Sequence, residues 1–270
     1  MRASDGHELY TEVHGESGIP LVLSCGLCTT HVNWRPQVEP LVAAGARVIL
    51  WDFRGHGRSE APEDPAAYSL GRVRDDLLEL MDAVAPDEPV VLGGLSFGGL
   101  LSLHATLARP ERVRALLLID TGPGFKNPKA QARWEAQVER TASFVETRGP
   151  AAFVQSRAAT TLIGPNPDLP AAAAAAQAIG AQQPHGLANF ARRVAGPAPP
   201  VIERLGEIAC PSLVIVGEYD EAYLRAAEVL GARIPGAKSV TLPGAGHITN
   251  IEAEGAFNEA VIAFLASLRS

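Results

Sequence analysis

The chain has 270 residues, 47% of them hydrophobic and 20% charged, which is enough for one large folded core. The formal net charge of −7 and the lack of a Lys or Arg cluster argue against nucleic-acid binding, which depends on neutralising phosphates. The N-terminal Met1–Asp5 segment is not an apolar signal sequence, and no stretch reaches about 18 uncharged apolar residues. We therefore expect a cytoplasmic protein that binds neither nucleic acids nor membranes.

Short apolar segments rich in β-branched residues alternate with helical patterns along most of the chain. The predicted strands are Glu8–Val13, Leu21–Leu23, Arg47–Trp51, Val90–Leu92, Ala115–Ile119, Leu213–Val216 and Ser239–Leu242. Strands that alternate with helices form parallel sheets that are covered on both faces. The sequence therefore predicts an α/β fold with a mostly parallel, doubly wound sheet.

The strand pattern disappears between Thr121 and Leu205. In its place are helical segments broken at Gly149-Pro150, Gly164-Pro165, Pro184 and Gly196-Pro197. The alanine run 171–176 has a high helix propensity, which favours a helix over disorder. We predict a helical cap inserted over residues 122–205, with residues 1–121 and 206–270 forming the core.

The segment Val90–Leu101 places Ser96 between glycines, at the junction of an apolar strand and an apolar helix. Gly94 and Gly98 lack the Cβ atoms that would clash across a sharp strand-to-helix turn. Leucines then recur at helical spacing until Pro110 ends the helix. This layout predicts a nucleophile elbow that exposes the serine hydroxyl to substrate.

A serine nucleophile needs a base within hydrogen-bond reach, and the base needs an acid that orients it. Asp220 follows the strand Leu213–Val216, and His247 follows the strand Ser239–Leu242. Serine, acid and histidine then occur in the chain order that accompanies a nucleophile elbow. Both residues follow the carboxyl ends of strands, where open α/β sheets bind ligands. We therefore predict the catalytic triad Ser96, Asp220 and His247.

Four motifs resemble those of the α/β-hydrolase superfamily, and the resemblance runs from about Gly6 to the C-terminus. They are the oxyanion loop Leu21–Leu27 with Trp34, the D-x-R-G-x-G-x-S turn Asp52–Ser59, the Ser96 elbow, and Gly246-His247 leading into the helix Ala256–Leu268. The resemblance implies a serine enzyme similar to esterases and lactonases, with a helical cap. It favours Asp220 over Glu218 and Glu221 as the acid. Asp120 is an alternative, because some family members carry their acid at that position.

The backbone N–H groups of Phe97 and Leu27 are the predicted oxyanion-hole donors. Cys25 departs from the family, which commonly has a histidine before the glycine of this loop, but the change removes no donor. Cys25 and Cys28 also form a C-x-x-C pattern, which is typical of redox pairs or half of a metal site. Their position in an oxyanion loop favours a structural role over both.

The remaining histidines have no comparable placement. We expect His56 to pack or hydrogen bond locally in its glycine turn, and His104 to be a hydrogen-bonded core residue on the elbow helix. No H-E-x-x-H or similar ligand spacing occurs. The sequence therefore predicts neither a metal site nor a cofactor.

The predicted cap offers two sets of residues for substrate choice. Its aromatic residues Trp134, Phe144, Phe153 and Phe190 either line an apolar acyl pocket or, as is more common, pack against the sheet. Its Arg157, Arg192 and Arg193 either clamp a substrate carboxylate or, as is more common, lie exposed.

The predicted activity is hydrolysis of esters or lactones of small to medium apolar acids through an acyl-enzyme. The same triad also supports carbon–carbon cleavage, hydroxynitrile cleavage and perhydrolysis, and the same fold supports a small-molecule receptor. A serine at the elbow disfavours haloalkane dehalogenase and epoxide hydrolase chemistry, which in this family uses an aspartate there. The expected partner is a small-molecule substrate, and the expected assembly is a monomer or homodimer.

Overall fold

The computed structural model, which describes residues 1–269, contains one seven-stranded sheet with the order β1-β3-β2-β4-β5-β6-β7. The strands are β1 (Thr11–His14), β2 (Ile19–Ser24), β3 (Ala46–Trp51), β4 (Val90–Leu95), β5 (Val113–Ile119), β6 (Ser212–Gly217) and β7 (Lys238–Leu242). Strand β1 is antiparallel to β3, and the other neighbouring strands are parallel. Parallel neighbours need crossover connections, which place helices on both faces of the sheet. The predicted α/β fold is confirmed.

Eleven α-helices lie in the described residues. They are α1 (Arg35–Ala43), α2 (Leu70–Val84), α3 (Phe97–Ala108), α4 (Pro128–Arg148), α5 (Pro150–Val154), α6 (Thr160–Ile163), α7 (Pro170–Gly180), α8 (Pro184–Phe190), α9 (Glu221–Arg233), α10 (Thr249–Glu252) and α11 (Glu254–Ser267). None of these helices combines the length and hydropathy that crossing a bilayer requires.

The two faces of the sheet are buried in two separate apolar clusters. Successive residues of β4 alternate between them, because side chains of a strand point to opposite faces. Val90 and Leu92 pack in the cluster that contains residues of α2 and α3, whereas Val91 and Leu95 pack with residues of α1 and α11. The sheet is therefore covered on both sides and presents its carboxyl edge for a site.

The first strand is shorter than the sequence predicts. The prediction began at Glu8, but β1 begins at Thr11, because its four residues pair with the end of β3. Glu8 instead forms an isolated bridge with Arg2.

Between β5 and β6, the described chain forms the helices α4 to α8 and no strand. Prolines lie in the first turn of α4, α5, α7 and α8, where a missing backbone N–H is tolerated and a fixed φ favours the helix. The alanine run lies within α7. Helix α7 contacts the short turn His31–Trp34, and Gly186 of α8 lies against Gly55. These helices therefore adjoin the loops that follow β2 and β3.

Candidate active site

Ser96 lies at a strained turn between β4 and α3. Its φ of 53° and ψ of −116° belong to a region that residues with a Cβ rarely adopt. A Cβ atom on Gly94 would lie 2.2 Å from the Gly98 carbonyl, and one on Gly98 would lie 2.5 Å from the Cys25 carbonyl oxygen. Glycine is therefore required on both sides of Ser96, as the elbow pattern predicts.

Asp220 and His247 meet beyond the carboxyl ends of β6 and β7. His247 Nδ1 lies 2.7 Å from Asp220 Oδ2, and both side chains are largely buried, with 12% and 6% exposed. Burial lowers the pKa of His247, but the hydrogen bond and charge of Asp220 outweigh burial and raise this pKa above its ordinary value. With Nδ1 occupied by the carboxylate, Nε2 is the nitrogen that can accept a proton.

The alternative acid, Asp120, is fully buried and engages other partners. Its Oδ1 accepts a hydrogen bond from the Gly217 N–H at 2.9 Å. Its Oδ2 accepts from the Thr249 hydroxyl at 2.6 Å and the Thr249 N–H at 3.3 Å. No hydrogen bond joins Asp120 to His247 among residues 1–269, so the geometry favours Asp220 as the orienting acid.

Sequence reasoning missed Tyr223, which lies three residues after Asp220 in the first turn of α9. Its ring stacks on the His247 imidazole, with centroids 4.8 Å apart and an interplanar angle of 24°. Burial raises the pKa of the Tyr223 phenol, and its interaction with the Ser96 hydroxyl opposes the rise. The signal that could have identified it is its position three residues after the predicted acid, at the start of the helix that follows β6.

Ser96 Oγ makes no hydrogen bond to His247 within the described part of the chain. Contacts between a nucleophile and its base are often long until the Michaelis complex forms. The Tyr223 phenol is the neighbour that interacts with this hydroxyl.

The backbone N–H groups of Phe97, the first residue of α3, and of Leu27, in the loop after β2, have no hydrogen-bond partner among residues 1–269. Gly26 packs directly against the serine, since a Cβ atom there would lie 3.3 Å from Ser96 Cβ. Free N–H donors, one of them at a helix N-terminus, can hold a developing negative charge.

The loop that contains Leu27 is held through Cys28, whose φ is 66°. The Cys28 N–H donates to His56 Nε2 at 3.1 Å, and the Cys28 carbonyl accepts from Gln182 Nε2 at 2.7 Å. Gln182 Oε1 also accepts from the Gly57 N–H at 2.8 Å. Burial lowers the pKa of His56 to about 4, which keeps its ring neutral as an acceptor. The expected local contacts of His56 are present, since its Nδ1 lies 3.5 Å from the Arg54 carbonyl oxygen and its ring packs edge-on against Phe53. The bond to Cys28, 28 residues away, adds a long-range contact that the sequence did not indicate.

The turn Asp52–Ser59 supports the same loop from another side. The Asp52 carboxylate accepts from the His31 N–H at 2.7 Å and lies 2.7 Å from His31 Nδ1. Arg54 is fully buried and makes two hydrogen bonds to Asp76, at 2.7 and 2.6 Å. The D-x-R-G-x-G-x-S residues therefore act here as structural supports.

The strand–serine–helix arrangement of β4, Ser96 and α3 lies within the part of the chain that matches a known family. A family model described as the alpha/beta hydrolase fold matches residues 19–254. The chain belongs to the alpha/beta-hydrolase family.

Relatives of this alpha/beta hydrolase include the "Putative carbamate hydrolase RutD" of Variovorax paradoxus strain S110, which is 32% identical over 96% of each chain. The structure resembles the enol-lactonase from Burkholderia xenovorans LB400, with a TM-score of 0.81 and 28% identity over 96% of this chain and 97% of that one. It also resembles a thermophilic esterase from Thermogutta terrifontis, with a TM-score of 0.85 and 26% identity over 99% of this chain and 97% of the other.

The two cysteines of the C-x-x-C pattern in this alpha/beta hydrolase are free and buried. Burial raises the pKa of the Cys25 thiol well above its ordinary value and that of the Cys28 thiol to about 12. Redox pairs and metal sites use accessible thiolates, so these pKa values favour the structural interpretation.

The aromatic residues of α4 to α8 pack within the protein. Phe190 is fully buried and stacks on Phe53 with ring centroids 5.2 Å apart. Phe153 is buried against Phe144, and Trp134 Nε1 donates to the Ala195 carbonyl. These contacts favour a packing role for the four aromatic residues over a role in lining an apolar acyl pocket.

The three arginines that the sequence suggested as a carboxylate clamp are either paired with glutamates or exposed. Arg192 pairs with Glu139 and Glu146 at 2.8 Å, while Arg157 and Arg193 are exposed.

His104 of α3 makes a hydrogen bond, as expected, but it is half-buried and so is not a core residue. Its Nε2 lies 3.1 Å from the Pro199 carbonyl oxygen.

Proposed function

We propose that this alpha/beta hydrolase cleaves carboxylic esters or lactones through an acyl-enzyme on Ser96. The observation that carries the proposal is the Asp220–His247 pair at 2.7 Å, whose imidazole stacks on Tyr223, the residue that interacts with the Ser96 hydroxyl at the strained turn. The names of the relatives support it, because carbamate hydrolase, enol-lactonase and esterase all describe attack on a carbonyl carbon bonded to oxygen or nitrogen.

In the proposed reaction, Ser96 Oγ attacks the substrate carbonyl carbon while His247 Nε2 takes the hydroxyl proton. The N–H groups of Phe97 and Leu27 donate to the developing oxyanion. His247 then gives its proton to the leaving alkoxide as the carbon–oxygen bond breaks, which leaves an ester on Ser96. Water, deprotonated by His247, attacks this ester and releases the acid with regeneration of the serine. Asp220 holds the imidazole in the required tautomer and stabilises the imidazolium.

We propose that the helices over 122–205 form a cap that restricts substrates to uncharged, small to medium acyl groups. Every Lys and Arg of this segment is exposed except Arg192, whose guanidinium is occupied by Glu139 and Glu146. The segment therefore offers no buried free cation for a substrate carboxylate, which argues for neutral esters and lactones.

The test is hydrolysis of p-nitrophenyl esters of graded acyl length and of γ- and δ-lactones by wild type and Ser96→Ala. We expect a burst of nitrophenolate that Ser96→Ala abolishes. Ser102→Ala is the matched control, because Ser102 is buried on α3 and its hydroxyl bonds to the Gly98 carbonyl of the same helix. Turnover that survives in Ser96→Ala, or its absence from folded wild type with every ester and lactone, would contradict the proposal.

The acid is tested by Asp220→Asn, which leaves His247 without the carboxylate that orients Nδ1. We expect kcat to fall by about 10⁴-fold, the size of loss seen when the acid of a serine triad becomes an amide. A loss below about tenfold would reject Asp220 as the orienting acid.

A further inference from the structure

Asp120 is a fully buried carboxylate that the proposed reaction does not use. It directly follows β5 and has a φ of 45°, a left-handed conformation that is uncommon for residues with a Cβ. Its two oxygens accept three hydrogen bonds, one from the Gly217 N–H and two from Thr249. These donors offset the cost of burying the carboxyl group, which would be large for an unpaired carboxylate in the interior.

The donors belong to the two loops that carry the acid and the base. Gly217 ends β6 three residues before Asp220, and Thr249 lies two residues after His247. The Gly217 carbonyl in turn accepts the Asp220 N–H at 3.1 Å. Through these bonds, the Asp120 side chain just after β5 joins the backbones on both sides of the Asp220–His247 contact.

We propose that Asp120 is a positioning residue that fixes the geometry of the Asp220–His247 pair by joining their two loops. This inference rests on the proposed function of Ser96. Both oxygens of Asp120 are occupied by other donors, so it acts through the loops and not as the acid on His247. A displacement of a catalytic group by about 1 Å can lower the rate by about 100-fold, which gives such support a measurable effect.

Asp120 and the titratable groups around it also affect each other's pKa values. The titratable groups that face it are His247, Asp220 and the Tyr223 phenol. Burial raises the pKa of Asp120 to about 7, and the His247 charge and the Thr249 hydrogen bond oppose the rise. The Asp120 charge in turn helps to raise the pKa of His247. Removal of this charge is therefore expected to lower the pKa of the base.

Asp120→Asn is the decisive variant, because asparagine has the same shape without the charge and offers one acceptor oxygen. We expect kcat for p-nitrophenyl acetate to fall by about 10- to 100-fold, with KM within about twofold of wild type. The acid limb of the kcat/KM profile should move to lower pH, since the imidazolium loses a stabilising charge. A residue that only stabilised the fold would change the melting temperature without moving this limb.

Thr249 provides an independent test if Asp120→Asn does not fold. Thr249→Val removes the hydroxyl donor at 2.6 Å and keeps the side-chain shape, while Thr249→Ser keeps the donor. We expect Thr249→Val to lower kcat by about tenfold and Thr249→Ser to restore most of it. Equal kcat in wild type and both Thr249 variants would overturn the proposal.

Three further outcomes distinguish a failure of the positioning role from a failure of the proposed function. If Asp120→Asn matches wild type in kcat and in the acid limb while Ser96→Ala is inactive, only the positioning role fails. If Asp120→Asn abolishes turnover while Asp220→Asn is mild, Asp120 is the orienting acid and the positioning role is also overturned. If Ser96→Ala retains turnover, the proposed function itself fails.

Discussion

His56 gives a stability prediction that follows from its contact with the oxyanion loop. Its ring is buried between Phe53 and Phe190, and its Nε2 accepts the Cys28 N–H. A protonated ring has no lone pair for this bond. The proposed perturbation is acidification of wild type and of His56→Gln, because glutamine keeps an acceptor oxygen near the Nε2 position but does not titrate.

Acidification should destabilise the folded protein, because the pKa of His56 is lower in the folded state than in the unfolded chain. Burial lowers the pKa of His56 from 6.5 in the unfolded chain to about 4 in the folded protein. As pH falls through 6.5, the unfolded chain therefore takes up a proton that the folded state accepts only near pH 4, and unfolding is favoured. Each pKa unit corresponds to about 1.4 kcal/mol, so the wild type should lose about 3 kcal/mol over this window.

Urea unfolding at pH 7, 5.5 and 4.5 measures this loss. The free energy of unfolding of wild type should fall relative to that of His56→Gln as the pH decreases, by about 1.4 kcal/mol per pH unit at most. Taking the difference between the two proteins cancels the titration of distant groups. A constant difference from pH 7 to 4.5 would refute the argument that His56 is held neutral by burial.

Two other variants test how the site is supported. Gln182→Glu keeps the acceptor for the Gly57 N–H but removes the donor to the Cys28 carbonyl, so kcat should fall by about tenfold with KM nearly unchanged. The exposed neighbour Gln183→Glu is its control in steady-state ester hydrolysis, and an equal loss in both would contradict the role. Tyr223→Phe keeps the ring stacked on His247, whereas Tyr223→Leu does not, so leucine should lower kcat by about tenfold more. Equal kcat in these two variants would exclude a role for the stack.

The fold and the position of the candidate site follow from local patterns in the sequence. Glycines on both sides of Ser96 are required by contacts within a few residues and with the adjoining loop, so the pentapeptide together with its flanking apolar strand and helix indicates the turn. Asp220 and His247 each follow a recognisable strand, and parallel strands end at one edge of a sheet. Their convergence therefore needs only the strand order, without knowledge of any helix packing.

The supports of the site are harder to predict, because they pair residues far apart in the chain. Gln182 and Cys28 are 154 residues apart, and neither has a local pattern that marks the other as its partner. Asp120 was visible as a possible acid at the end of a strand. Its true partners, Gly217 and Thr249, depend on how three loops pack, which local sequence does not specify.

The two aspartates show why burial and donors, and not position alone, decide what a carboxylate can do. Asp220 Oδ2 lies against His247 Nδ1, and no other group among residues 1–269 donates a hydrogen bond to this oxygen, so Asp220 can hold and stabilise the imidazolium. Asp120 accepts three hydrogen bonds from backbone and hydroxyl donors, which commit both of its oxygens to the loops. Its full burial raises its pKa to about 7. Exchanging their roles would require new donors for Asp220 and the release of Thr249 from Asp120. A substitution at Thr249 should therefore affect catalysis through Asp120 more than through His247, although Thr249 lies closer to His247 in sequence.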